Sequence, residues 1–461
     1  VQDLLLTFYG DDFTGSTDVM EALTLHGVPT VLFLEPPTMD FVEERFPNVR
    51  ALGVAGVSRS MTPEQMDDEL PPKFEALKAF GAPLFHYKIC STFDSSPTIG
   101  SIGHATEIGF EIFAPRVVPM MVGAPALKRY MAFGNLFAVA HGEVFRLDRH
   151  PTMSKHPATP MDESDLRLHL AKQTSRRIAL IDVLDLAQPV DAIQQQFNEL
   201  VADGAEIIFF DTMDDNHLLT IGHILWQQRG EKPLFITASS GVEYALTAYW
   251  QSVGIAEQPP PPPSPGPVEQ LVVISGSAST ATAEQIQWAI DNEFVPLRLD
   301  AARLIDPDTA DATREQHIAD ALAALSAGRN VLLYSAQGPE DPAIAATNGH
   351  INRIGLDPRS IGARLGTQQG QMLRTILERT DLTRVCVAGG DTCGHAAHQL
   401  GIYALEMVIP VAPGSPLCRA YSHRPRFDGL EISLKAGPVG KADYFGSILW
   451  GEAQDSMNRK G

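Results

Sequence analysis

The chain has 461 residues, enough for two domains that each bury a sizeable core, and its 44% hydrophobic and 20% charged residues are those of an ordinary globular protein. A formal net charge of -21 argues against nucleic-acid or anionic-membrane partners, because phosphate backbones and anionic surfaces are bound by Lys and Arg replacing counterions. Cys90, Cys386, Cys393 and Cys418 form neither a CxxC pair nor a zinc spacing, and no signal-like segment or apolar run of about 18 residues occurs, so a cytoplasmic protein with reduced thiols is expected, neither secreted nor membrane-spanning.

The first predicted strand, Leu4 to Tyr9, runs into Gly10-Asp11-Asp12-Phe13-Thr14-Gly15, where two carboxylates stand at a glycine turn. Ligands of α/β sheets collect at the carboxyl ends of strands, which makes the pair a candidate site; capping the following helix, read as Ser16 to His26, is the alternative use of such aspartates. Val31 to Leu34 and Ala51 to Val57 read as further strands, the second delivering Arg59 at its end. A guanidinium there suits a carboxylate ligand, or simply pairs with a nearby acid. Phe85 to Pro97 is a strand breaking into a hydroxyl-rich turn. Lys88, inside its apolar part, needs an anionic partner that a substrate could supply, whereas the Ser, Thr and Asp that follow are also common turn devices.

Strand-like runs at Val117 to Val122, Ile178 to Ile181, Glu206 to Phe210 and Leu234 to Thr237 alternate with helical ones, the pattern of a parallel sheet with crossover helices. A Pro- and His-containing loop, His150 to Pro160, interrupts them, and Ala238-Ser239-Ser240-Gly241 forms a weak anion-nest candidate. The prolines of Gln258 to Pro267 cannot sit inside a sheet or helix, so the domains are expected to be 1–258 and 268–461, joined by a linker at 259–267. Beyond it, Leu271 to Ile274 leads into Ser275, Ser277 and Ser279 before a helical run from Thr282. Arg384 to Ala388 leads likewise into Gly389, Gly390, Asp391, Thr392 and Gly394. Strand, small-residue turn and helix present free amides and a helix dipole to a phosphate, and since neither turn carries Lys or Arg, backbone amides should do most of the binding. His395 and His398 have no third ligand spacing, so no metal site is expected; Gly437 to Lys441 lacks the Walker A spacing.

Gly10 to Asp18, with the sequence Gly-Asp-Asp-Phe-Thr-Gly-Ser-Thr-Asp, resembles the opening motif of the four-carbon acid sugar kinase family. Lys88-Ile89-Cys90-Ser91-Thr92-Phe93-Asp94-Ser95 resembles the family's lysine-containing segment, most nearly that of its 3-oxo-tetronate kinase branch. The Pro97-Thr98-Ile99 that follows departs from the usual Arg-Gly-Asn. Gly389 to Gly394 resembles its Gly-Gly-(Asp/Glu)-Thr-Ser-Gly motif with Cys393 for the serine, and the stretches around Gly414 and Gly437 resemble its remaining nucleotide loops.

The resemblance implies two α/β domains with mainly parallel sheets and an active site in the cleft between them, ATP and Mg2+ as cofactors, and a small acid sugar as substrate. The composition leaves room for a homodimer. Arg59, Lys88, Asp94 and Ser95 are then expected to bind the sugar, and the loops of Ser275 to Ser279, Gly389 to Gly394, Gly414 and Gly437 the nucleotide. Asp12 is expected to accept the proton of the attacking hydroxyl, with Asp11 as the alternative.

Overall fold

The first apolar run forms a strand buried throughout, β1 (Leu6–Gly10), and the chain continues through β2 (Thr30–Phe33), β3 (Ala51–Ala55), β4 (Leu84–Lys88) and β5 (Val118–Met121). The computed structural model describes residues 3–156 and 158–453, in two compact units, Val1–Pro260 and Pro261–Gly461, divided inside the proline run. After β5 the N-terminal unit adds β6 (Arg129–Ala132), β7 (Asn135–Ala140), β8 (Glu143–Arg146), β9 (Ile178–Ile181), β10 (Ile207–Phe210) and β11 (Leu234–Ala238). Its main sheet runs β2-β3-β1-β4-β11-β5-β10-β9 with every pairing parallel. Near-continuous apolar strands suit a sheet covered on both faces. Phe74, Phe85, Phe113 and Phe235 pack together on it, with Phe85 and Phe235 stacked at 5.5 Å, and each buried ring contributes roughly 1.5–3 kcal/mol.

The C-terminal unit contains β12 (Val272–Ser275), β13 (Val295–Arg298), β14 (Val331–Tyr334), β15 (Arg384–Ala388), β16 (Ile402–Ala412), β17 (Ser415–Ser422) and β18 (Glu431–Lys435). The order β13-β14-β12-β15-β18 is parallel, while β17 runs antiparallel to β18 and β16 antiparallel to β17. Leu271, Val273, Ile286, Leu332, Cys386, Tyr444 and Phe445 form its core.

Each unit opens with the same spatial order: β2-β3-β1-β4 in one, β13-β14-β12-β15 in the other. The chain winds to one side of its first strand and then crosses to the other. Crossover loops therefore leave in opposite directions beside that strand and open a crevice at its carboxyl end. In this way β1, β3 and β4 bring their exits together, and so do β12 and β15.

Three departures from the sequence expectation have local causes. The first helix begins at Phe13, before the expected Ser16, because Asp12 is its N-cap. Residues 129–146 form a separate 3-stranded antiparallel sheet, β6-β7-β8, inside what reads as simple alternation. The stretch around Gly414 is the turn of the long β16–β17 hairpin, where Ala412 pairs with Ser415 and Gly414 takes φ 71, a left-handed conformation natural to glycine. No helix or strand lies between Ser252 and Val272, and among the described residues no helix is long and apolar enough to cross a membrane.

Candidate active site

At the exit of β1, Asp12 is extended (φ -146, ψ 164) and caps the helix Phe13–Leu25. Its Oδ1 accepts the Gly15 N–H at 2.8 Å, and its Oδ2 accepts the Thr14 hydroxyl at 2.8 Å. Gly15 has no room for a side chain, since a Cβ there would lie 2.4 Å from Asp12 Oδ1 and 2.9 Å from Lys88 Nζ. The neighbouring exits are stitched to this turn: Asp11 N–H donates to the Lys88 carbonyl, and Arg59 N–H donates to the Asp11 carbonyl, both at 2.9 Å.

Arg59 lies against both aspartates. Its Nε and one terminal nitrogen donate to Asp11 at 3.2 and 2.7 Å, and its two terminal nitrogens donate to Asp12 at 2.9 and 2.8 Å. The guanidinium expected to grip a substrate carboxylate is therefore already engaged by two carboxylates of the protein. Burial pushes the Asp11 carboxyl above its ordinary range despite Arg59. Burial acts in the same sense on Asp12, but the charges of Arg59 and Lys88, with the bonds from Thr14 and Gly15, outweigh it and hold Asp12 below that range. The Asp12 side chain is also 25% exposed, against 2% for Asp11, so it is the one that a small molecule can reach.

Lys88 is buried, and its Nζ donates to the Ile89 carbonyl at 3.0 Å; among the described residues it forms no ion pair. Asp18, one turn along the first helix, is buried within electrostatic reach of Lys88, and burial raises its carboxyl. Beside β4, His86 and Glu243 are fully buried, with Nδ1 and Oε1 2.6 Å apart and Nε2 2.9 Å from the Ala238 carbonyl. A carbonyl only accepts, so the Nε2 side of the ring donates to Ala238.

Beyond β4 the chain turns through Phe93 at φ 56, with the Thr92 hydroxyl on Asp94 Oδ1 at 2.7 Å. Ser95, expected as a sugar ligand, has its hydroxyl committed: it donates to the Phe93 carbonyl at 3.0 Å and accepts from Gln173 Nε2 at 2.9 Å. His169 Nε2 donates to the Ser95 carbonyl at 3.1 Å, so Ser95 fixes the turn that presents Asp94. In the loop from His150, Nδ1 of that residue accepts from Thr152 and Met153 N–H, and His156 Nδ1 from Thr159 N–H, so both histidines fold the loop on itself; Pro157 lies outside the described residues. Asp211, at the end of β10, accepts the Phe133, Gly134 and Val183 N–H groups, tying the β6–β7 turn to the main sheet.

In the C-terminal unit, the helices Thr280–Asp291 and Gly390–Gln399 start just beyond β12 and β15. A cavity of about 170 Å³ is lined by Gly276, Ser277, Gly389, Gly390, Thr392 and Gly437, together with Gly362, Leu365, Gly366 and Gln369 from the helix Ile361–Glu378. Gly389 adopts φ 123 and spends its own N–H on the Lys435 carbonyl at 2.9 Å, while Cβ atoms added at Gly390 or Gly394 would meet nothing within 4 Å, so the chain there borders open space. Gln369, which sequence reasoning missed, accepts from the Thr392 hydroxyl at 3.0 Å and donates to the Ser275 carbonyl at 3.1 Å, bracing both turns.

One carbonyl, that of Gly437, accepts from Ser279 Oγ at 2.7 Å, Thr282 Oγ1 at 2.8 Å and Lys435 Nζ at 2.8 Å. Ser279 thus locks two loops and caps a helix. Lys435 is buried and has no carboxylate partner among the described residues, and burial pulls its ammonium down to about 8. Gly414 does not line this cavity, and the side chain of Asp391 lies outside the described residues. No cluster of three potential metal-ligating His, Cys, Asp or Glu occurs among the described residues.

An acid pair held by one guanidinium lies at one switch point and a glycine-lined cavity at another, and the relatives of the chain make it a carbohydrate kinase. A sugar-binding N-terminal domain model matches residues 6–246, and a nucleotide-binding C-terminal domain model matches residues 272–445. The chain is 47% identical over 448 residues to a 3-oxo-isoapionate kinase of Paraburkholderia graminis, covering 97% of this chain and 94% of that protein. It is 27% identical to a 3-oxo-tetronate kinase of Pectobacterium atrosepticum, covering 94% and 96%, and 29% identical to one of Cupriavidus necator, covering 96% of each. Among solved structures, a Salmonella typhimurium protein described as a tRNA synthase has a TM-score of 0.75 at 24% identity, covering 96% and 97%. A Haemophilus influenzae protein has 0.71 at 23%, covering 96% and 98%; both share the fold. The chain belongs to the four-carbon acid sugar kinase family, and it uses ATP.

Proposed function

We propose that the protein phosphorylates a hydroxyl of 3-oxo-isoapionate, with 3-oxo-tetronate as the nearest alternative and threonate and erythronate behind it. The observation carrying this is the 47% identity, over nearly the full length, to a kinase named for 3-oxo-isoapionate. Residues 1–258 would hold the sugar and 268–461 the nucleotide, with 259–267 as the linker.

Asp12 is the proton acceptor in this reading. A base must be ionised before it can act, and the depression of its carboxyl together with its exposure meets both conditions. A low proton affinity is tolerable because phosphoryl transfer passes through a loose transition state in which the attacking hydroxyl loses its proton late. Arg59 keeps the two aspartates fixed, and Lys88 and Asp94 face the substrate. On the nucleotide side, the turn of Gly389, Gly390, Thr392 and Gly394 and that of Ser275, Ser277 and Ser279 would bind phosphates, the free amides being those of the first helical turn from Gly390, with Gly437 close by and Gly414 shaping a neighbouring hairpin. Mg2+ would enter with ATP and neutralise charge on the phosphates. The test is ADP release with 3-oxo-isoapionate, 3-oxo-tetronate, threonate and erythronate, using ribose and glycerate as controls. The order given is the expected order of kcat/KM, and turnover of the controls alone would refute the proposal.

A further inference from the structure

The cation expected to hold the sugar's carboxylate, Arg59, is spent on Asp11 and Asp12, so an anionic substrate needs another. Arg129, at the start of β6, is placed to be that group. Its backbone is locked to Ala124, whose N–H donates to the Arg129 carbonyl at 2.9 Å and whose carbonyl accepts the Arg129 N–H at 3.1 Å. Ala124 lies three residues beyond the end of β5, so Arg129 stands at the same carboxyl edge of the sheet as Asp11, Arg59 and Lys88.

One terminal nitrogen of Arg129 donates to the Leu127 and Lys128 carbonyls at 3.0 and 3.3 Å. Its Nε is buried and has no hydrogen-bond partner, and Arg129 forms no ion pair among the described residues. Arg129 is half-buried, and a guanidinium N–H shut off from water is costly unless something accepts from it. Asp94 and Cys90 lie within electrostatic reach of Arg129, and Cys90 is also within reach of Arg59. Burial pushes the Cys90 thiol up to about 11, so at neutral pH it contributes no charge, which leaves the Asp94 side chain as the acid noted within reach of Arg129 among the described residues.

Building on the sugar-kinase reading, we infer that Arg129, delivered by the inserted three-stranded sheet, binds the carboxylate of the acid sugar together with Lys88, while Arg59 is a positioning residue for the two aspartates. The fork geometry of a guanidinium matches a carboxylate with two parallel hydrogen bonds, and only one terminal nitrogen of Arg129 is held by the Leu127 and Lys128 carbonyls.

The test is a binding titration that needs no turnover. 3-Oxo-isoapionate and threonate, each beside its carboxamide, are titrated into the wild-type chain and Arg129→Gln, with thermal unfolding as a check on the fold. Wild type should prefer each acid to its amide. Arg129→Gln should weaken the acids about 10- to 100-fold, the range for losing a charged hydrogen-bonded contact, and the amides less than threefold. Equal weakening of acid and amide, or none, would overturn the inference. A wild type that binds acids with this preference yet phosphorylates none would sink the kinase substrate reading and leave Arg129 standing. A wild type that binds no acid would remove both. Should Arg129→Gln unfold, Arg129→Lys, which keeps the charge but loses the fork, must still show a reduced acid-over-amide preference.

Discussion

The two units use one topological device for opposite chemistries. At the switch point of the N-terminal unit, β1, β3 and β4 deliver Asp11, Asp12, Arg59 and Lys88, charged groups packed against one another. At that of the C-terminal unit, β12 and β15 deliver serines, glycines and a threonine, and a buried ammonium nearby, Lys435, serves a loop carbonyl. On the proposed assignment of sugar to one and nucleotide to the other, the difference follows from what each surface must recognise. A polyphosphate presents many equivalent oxygens, which free amides and helix dipoles satisfy without side chains. A small sugar offers one carboxylate and several alike hydroxyls, and selecting among them takes fixed charges of defined direction.

The sharpest way to break this contrast is Asp12→Asn, which preserves size and hydrogen bonding while removing basicity. It should lower kcat about 100-fold or more with ATP binding intact, as measured by ADP release under conditions where chemistry limits the rate. Near-normal kcat would reduce Asp12 to the helix cap that it also is. Next, Arg59→Lys keeps the charge but cannot span two carboxylates, so it should cost roughly 10- to 100-fold in kcat/KM for the sugar. A loss confined to KM would mean that Arg59 grips substrate after all.

On the nucleotide side, volume should matter where charge does not. Gly390→Val fills space left open in the cavity and should raise the ATP KM about tenfold, equivalent to roughly 1.4 kcal/mol, while sugar binding measured by calorimetry stays unchanged. The smallest effect concerns Lys435. Its folded pKa of about 8 lies below the ordinary 10.5, so between those values the unfolded chain binds more protons, and stability rises with pH. Relative to Lys435→Met, wild type should gain about 1 kcal/mol between pH 7 and pH 9 in denaturant unfolding. A flat difference would show that the ammonium is not desolvated.

Much of the first site is legible in the sequence because each part lies where an apolar run stops: Asp11 and Asp12 after Leu6–Tyr9, Lys88 at the end of β4, Gly389 after Ala388. What the sequence could not separate was capping from chemistry at Asp12, since one carboxylate both caps the helix, bonding Gly15 with Oδ1, and remains reachable. Arg129 escaped because it begins a short, half-buried strand of an inserted sheet instead of standing where β5 ends; a cation a few residues beyond Val122 was the available signal. Gln369 escaped for a different reason. It lies within a long amphipathic helix, and only the packing of that helix under two turns makes its amide a brace.

The Asp211 clamp divides the inserted sheet into a fixed end and a loose one. The β6–β7 turn is held by N–H bonds from Phe133 and Gly134, whereas the β7–β8 turn at His141 and Gly142 is exposed, left-handed at both residues, and has nothing within 4 Å of Gly142. A protease should therefore nick the chain at His141–Gly142 long before it reaches Phe133. Because Arg129 lies on the strand that the clamp secures, the nicked protein should keep that guanidinium where the intact chain holds it.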